Sequence, residues 1–295
     1  MGFCRADARI CGARAALLSY EEPCLTGENG SGAVFFSGCN MGCIFCQNHE
    51  ISREFDQSAH PDWAVSPMRL SDIFLSLQEK GAATINLVTP THYVPALIPA
   101  LEYAKGHGLT IPVIYNTGSY ERAGVLQRLE GLVDIYLPDL KFCSEELAVS
   151  LANAPHYFDI ACAAIKEMVR QCPVPVFADG THSLDWDDTD DSCPLMVQGV
   201  IVRHMALPGC ADDSEKILSY LYYTYGDRIF ISLMNQYTPM PAVKDHPYLS
   251  RPLSREEYDS LCDYAVDLGI SNGFLQEGGT VSESFVPIFD GTGIR

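Results

Sequence analysis

Six short apolar runs, each followed by a polar cluster and then by apolar residues at helical spacing, limit what this chain can fold into. The runs are Val34–Phe36, Thr84–Val88, Ile111–Tyr115, Val133–Leu137, Val200–Met205 and Ile229–Leu233. Between them Leu70, Ile73, Phe74 and Leu77 recur with helical period, and Gly81 ends that helix. A second helix is expected over Pro95 to Lys105, a short one around Val125, Leu126 and Leu129, one opening at Ser144, and one from His156 to Arg170. Ile217, Leu218 and Leu221 mark another, and Ser254 with Glu257 forms a capping box before the last, which Gly269 stops. Strands alternating with helices predict parallel βαβ units in an α/β fold. At 295 residues one barrel accommodates them all.

The polar clusters follow the strands in order. They are Cys39 to Asn48, Thr89-Pro90-Thr91-His92, Asn116-Thr117-Gly118, Asp139-Leu140-Lys141, Leu207-Pro208-Gly209 and Asn235-Gln236-Tyr237, with Arg203 inside the fifth strand. The site of a (β/α) barrel lies at the C-terminal ends of its strands, so six clusters are expected at one mouth. Arg203 and His204 point to opposite faces of their strand. Arg203 is the one expected to face the barrel.

The first cluster holds Cys39, Cys43 and Cys46 with the spacing C-x3-C-x2-C. An iron-sulfur cluster normally takes four cysteines, and no fourth lies close in sequence. Three thiolates would leave one iron open, as a catalytic zinc keeps one open position. That favours chemistry over a structural staple. The competing reading is zinc with His49 as fourth ligand, since Cys46 and His49 have the spacing of a zinc knuckle. Structural zinc sites are rarely placed on a barrel strand end.

Composition excludes several classes. Asp and Glu number 38 against 19 Lys and Arg, a net charge of −19, which argues against nucleic-acid or anionic-membrane binding. No stretch reaches the ~20 apolar residues of a membrane span, and the start shows no apolar signal core. Twelve cysteines in a chain of this size point to a reducing cytoplasm rather than to disulfides. The stretch Cys172 to Met196, with Asp185, Trp186, Asp187, Asp188, Asp190 and Asp191, reads as a solvated loop; it lacks the glycine and glutamate of an EF-hand.

The cysteine spacing, with Phe45 just before the third cysteine, resembles the radical S-adenosylmethionine (radical SAM) superfamily. Glu21-Glu22-Pro23-Cys24, Phe35-Phe36-Ser37-Gly38-Cys39, Asn86 to Tyr93, Asp134 to Lys141, Arg203-His204 and Met234 to Tyr237 resemble its pyruvate formate-lyase-activating-enzyme-like branch. The resemblance covers almost the whole chain. It implies a partial (β/α)6 TIM-like barrel of the radical SAM type over residues 31–295, with residues 1–30 as an N-terminal extension. It implies a [4Fe-4S] cluster on Cys39, Cys43 and Cys46 that cleaves S-adenosylmethionine to a 5′-deoxyadenosyl radical.

The same resemblance implies roles for the mouth residues. Thr89, Thr91 and His92 take the place of a Gly-Gly-Glu segment that cradles the SAM amino group, a segment absent here. Asp139 and Lys141 match an Asp-x-Lys motif serving the methionyl end, where Lys141 suits the carboxylate as a compact charge. Arg203 matches an arginine near the SAM carboxylate and ribose, the Phe45 backbone belongs near adenine, and Asn116 and Asn235 are candidates for ribose or methionine. A flavodoxin or ferredoxin would supply the electron. The nearest implied activity abstracts a hydrogen from a glycine of a partner, leaving a glycyl radical protein. Two alternatives stand beside it: radical chemistry on a small molecule or peptide, and a metal-binding or electron-transfer protein that cleaves no SAM.

Overall fold

The computed structural model describes residues 2–184, 193–276 and 286–295. The acidic run Asp185 to Asp191 lies outside the described residues. The strands are β1 (Ile10–Leu18), β2 (Ser31–Phe36), β3 (Ala64–Val65), β4 (Ile85–Val88), β5 (Val113–Thr117), β6 (Ile135–Pro138), β7 (Val176–Phe177), β8 (Met196–Met205), β9 (Phe230–Met234) and β10 (Gly273–Leu275). They form one sheet in the order β10-β9-β8-β6-β5-β4-β2-β1-β3, with β7 pairing β8 off this path. From β2 through β4, β5, β6, β8 and β9 every pairing is parallel, as the alternation predicts.

The six expected strands are therefore present in one parallel series, and the sheet is open. Two differences explain the opening. β1 runs antiparallel to β2 along six register pairs and takes the edge that a closed barrel would offer to its last strand. β10 adds a seventh parallel strand beyond β9. Sequence reading placed neither, because β1 is rich in alanine and glycine and β10 is three residues long. The fold is a partial barrel rather than a closed one.

The crossover helices form for local reasons. In the helix Pro67–Glu79 the Ser66 hydroxyl accepts from the Arg69 N–H at 3.1 Å and Pro67 opens the first turn. Its Leu70, Ile73, Phe74 and Leu77 are buried against the sheet. Each such side chain contributes about 2 kcal/mol by leaving water. The helix Arg255–Leu268 carries the expected capping box, and Gly269 ends it in the left-handed conformation.

The C-terminal tail straps β1 from outside. The Ala15 N–H donates to Thr292 O at 2.8 Å, and the Gly291 N–H donates to Ala13 O at 2.9 Å. Ile294 is buried over Gly12, where an added Cβ would stand 2.6 Å from its Cδ1. Gly293 has φ +76°, and a Cβ there would meet Ala15 O at 2.1 Å.

Candidate active site at the barrel mouth

The loop after β2 is fastened on three sides before it presents a cysteine. The Gly38 N–H donates to Ile51 O at 2.6 Å; the Gly42 and Ile44 N–H groups donate to Ala152 O and Leu151 O at 2.7 and 2.9 Å. Gln47 Nε2 donates to Gln236 O at 2.9 Å, which ties the loop to the end of β9. Gly38 has φ +87°, and a Cβ there would stand 2.5 Å from Cys4 O and 3.0 Å from His92 Nε2. Only glycine fits that turn.

Cys39, Cys43 and Cys46, all half-buried, line one cavity of about 280 Å³. Phe45, Thr89, Asn116, Asp139, Lys141 and Arg203 line it too. These residues come from the ends of β2, β4, β5, β6 and β8, so the parallel series brings five strand ends to one space. Burial pushes the Cys39 thiol up to about 11 and the Cys43 thiol up to about 12. Both are protonated at neutral pH in the metal-free chain, and binding iron would displace those protons.

Among the described residues no three His, Cys, Asp or Glu side chains stand closely enough to clasp a single ion. A [4Fe-4S] cluster takes its thiolates on separate irons. It asks for sulfurs around a shared space, which is how the triad is arranged. His49 Nδ1 instead lies 3.2 Å from Glu54 Oε1. The donor set fits the cluster.

Two charged assemblies flank the triad. Lys141 Nζ lies 2.5 Å from Asp139 Oδ2. Burial opposes the charge on Lys141, but the Asp139 carboxylate beside it more than offsets that and holds the ammonium above its ordinary range. Tyr157 fixes both ends of the pair: its hydroxyl accepts the Lys141 N–H at 3.0 Å and stands 2.9 Å from Asp139 O and 3.0 Å from Gly118 O. Across the mouth Arg203 Nε donates to Glu22 Oε1 at 2.8 Å, and one of its terminal nitrogens donates to Glu22 Oε2 at 2.5 Å and also to Glu21. Asn86 Nδ2 holds the other Glu21 oxygen at 2.8 Å. Burial disfavours charge on Glu22, yet Arg203 keeps this carboxyl below its usual range.

The expected residues divide into two groups. Phe45, Thr89, Asn116, Asp139, Lys141 and Arg203 reach the cavity wall. Thr91, His92 and Asn235 lie behind it. His92 sits under the cysteine loop, with Nε2 2.9 Å from Ser37 O and its ring against Tyr93. Burial lowers its pKa, so the neutral ring donates from Nε2 while buried Nδ1 has no partner. Thr91 joins a buried network in which Thr117 donates to Glu121 at 2.6 Å and Tyr115 donates to Glu121 at 2.8 Å. Asn235 is sewn to Gln276, whose side-chain oxygen accepts the Asn235 backbone N–H and whose carbonyl accepts from Asn235 Nδ2, at 3.0 Å each. His204 is buried on the other face of β8 from Arg203, between Leu140 O and Ser214.

Glu21 and Glu22 are the residues that sequence reasoning gave no role. Their pairing with Arg203 spans 182 and 181 positions. The signal was local: two adjacent acids before a proline, just ahead of β2.

Comparison with known proteins agrees with this architecture. SuiB from Streptococcus suis, in a crystal structure bound to S-adenosylmethionine, superposes with a TM-score of 0.52 over 81% of this chain and 48% of SuiB, at 12% identity. At that identity the likeness shows a shared fold, a mixed α/β structure built on a mostly parallel sheet. SuiB bound to its precursor peptide SuiA gives the same score over 81% of this chain and 46% of that one. A domain of pyruvate-formate lyase-activating enzyme from Bacteroides vulgatus aligns at a TM-score of 0.42, which carries no argument about the branch. The uncharacterized protein MJ0674 from Methanocaldococcus jannaschii is 28% identical over 240 residues, 80% of this chain and 62% of that protein. The chain thus spans less than two thirds of the length of each of SuiB and MJ0674. No family model matches. Among the described residues no helix is long and apolar enough to cross a membrane.

Proposed function

We propose that this chain is a radical SAM enzyme, with a [4Fe-4S] cluster on Cys39, Cys43 and Cys46 and S-adenosylmethionine in the cavity they line. The observation that carries the reading is the meeting of the three thiols with Lys141 and Asp139 on one wall, at the C-terminal ends of parallel strands. When bound, the cluster supplies the electron that breaks a C–S bond of SAM; the protein's part is to bind, orient and shield. Lys141 offers a fixed ammonium to the SAM carboxylate, and Asp139 offers an acceptor to its amino group. Thr89 and Asn116 supply hydrogen bonds at the strand ends, and Phe45 lends its backbone and apolar bulk. Gln47, His92 and Tyr93 hold the cysteine loop in place, which makes them positioning residues.

The electron comes from a flavodoxin or ferredoxin in this reading. For the hydrogen donor, activation of a glycyl radical protein is the nearest activity by resemblance. A second reading, radical chemistry on a small molecule or peptide, has its own support. A cavity of about 650 Å³ adjoins the cysteine-lined one and shares Tyr20, Glu21, Arg203, Met234 and Gln236 with it. Ligand sites of that volume take small molecules. Reduced enzyme and SAM, incubated with candidate glycyl radical proteins and separately with metabolite extract, separate the two: a glycyl EPR doublet supports the first, and 5′-deoxyadenosine formation stimulated by extract alone supports the second. Neither signal, with SAM unbound and the cluster still cycling between redox states, would leave an electron-transfer protein.

A further inference from the structure

We infer that the larger cavity takes the ammonium or guanidinium group of the molecule this enzyme acts on. The inference deepens the proposed function and rests on it for the word enzyme. Among the described residues the charged groups on the wall are Glu21, Glu22 and Arg203. One guanidinium faces two carboxylates, so the wall keeps one negative charge after every ion pair is made. Among the described residues no lysine lines the cavity.

The aromatic residues add to that charge. Tyr20, Phe230 and Phe274 line the same cavity. Phe230 is buried with its ring stacked on Phe274, centroids 5.6 Å apart and planes 24° apart, so Tyr20 and Phe274 are the rings that can offer a face. Aromatic faces beside carboxylates attract cations. A carboxylate or phosphate ligand would meet uncompensated negative charge in a partly desolvated space, where charges act more strongly than in water. The neighbouring cavity differs, because there Lys141 is matched by Asp139.

The test needs neither cluster nor SAM. Met234 lines both cavities. In Met234→Cys protein the introduced thiol is labelled with a trimethylammonium-bearing thiosulfonate and with its sulfonate-bearing counterpart, and peptide mass spectrometry follows each rate. Cys262, which feels Asp259 and Asp263, reports the acidic surface of the same molecule. We expect the cation-to-anion rate ratio at position 234 to exceed that at Cys262 by roughly tenfold. Glu22→Gln, which leaves Glu21 on Arg203, should lower the ratio at position 234 and not at Cys262. Equal ratios at the two positions, or a ratio unmoved by Glu22→Gln, overturn the inference.

Agmatine and a short lysine-containing peptide then compete with the label at millimolar concentration. Slower labelling with agmatine assigns a free small amine, and slower labelling with the peptide alone assigns a peptide side chain. Protection by neither overturns the inference. Failure here is distinct from failure of the proposed function, which would appear as no cluster or no 5′-deoxyadenosine while the labelling ratios stand.

Discussion

Lys141 and Arg203 stand on the same barrel mouth and are held by opposite charge balances. Lys141 meets one carboxylate, Asp139, and the pair is neutral. Arg203 meets two, Glu21 and Glu22, and the trio keeps a negative charge. A neutral pair leaves its members free to exchange partners with a zwitterion such as the methionyl end of SAM. A guanidinium already claimed by two carboxylates is less available to an anion, whatever its position by resemblance. In the proposed reading the two cations divide the mouth into a side suited to SAM and a side suited to a cationic partner.

The comparison breaks most readily at Arg203. Arg203→Met would leave half-buried Glu21 and buried Glu22 adjacent and without that cation, at a cost of about 5 kcal/mol. Urea unfolding measures it; a loss under about 1 kcal/mol would mean that the carboxylates find solvent and that the trio is not the buried assembly described here. Lys141→Met strands one carboxylate instead of two, and a smaller loss of about 3 kcal/mol is expected. Equilibrium dialysis with labelled SAM should show binding lost in this variant. Full SAM binding by Lys141→Met would remove that residue from the site.

Glu121 extends the comparison to a carboxyl with no cation beside it. It is buried among the hydroxyls of Thr117, Tyr115 and Thr91, and burial raises its pKa from 4.5 to about 6. The folded chain then binds the proton more tightly than the unfolded one. Its contribution favours folding below pH 4.5 and is lost as pH rises to 6, about 2 kcal/mol over the 1.5-unit window. Stability curves for the native chain and Glu121→Gln should diverge through that window, and parallel curves would contradict it.

The smallest effect is expected away from both cations. Gly293→Ala places a Cβ against the Ala15 carbonyl at a positive φ, and a loss of about 1–2 kcal/mol is expected. Faster proteolysis of the C-terminal strap, with SAM binding kept, would show that the strap supports β1 and not the mouth. A loss of SAM binding would couple the two regions.

Much of this fold was legible in the chain. Leu70, Ile73, Phe74 and Leu77 announced their helix, and Ser254 with Glu257 announced another, because helix period and capping are local. The parallel series followed from the alternation. The mouth was legible only in part. Asp139 and Lys141 lie two apart at a strand end, so period two puts them on one wall. Thr91 and His92 also follow a strand, but the short helix Thr91–Tyr93 carries them behind the cysteine loop. The Arg203 trio joins residues about 180 positions apart, and β1 hides among three alanines and a glycine. Such features depend on tertiary pairing, which leaves no local period.

The central claim is that Cys39, Cys43 and Cys46 hold a cluster that cleaves SAM. Its most direct test is anaerobic reconstitution with iron and sulfide, then reduction with dithionite in the presence of SAM, with 5′-deoxyadenosine measured beside a Cys39→Ala/Cys43→Ala/Cys46→Ala control. The account predicts product from the native chain and none from the control. Zinc bound in place of iron, or a native chain that forms its cluster and yields no product with SAM bound, would contradict it.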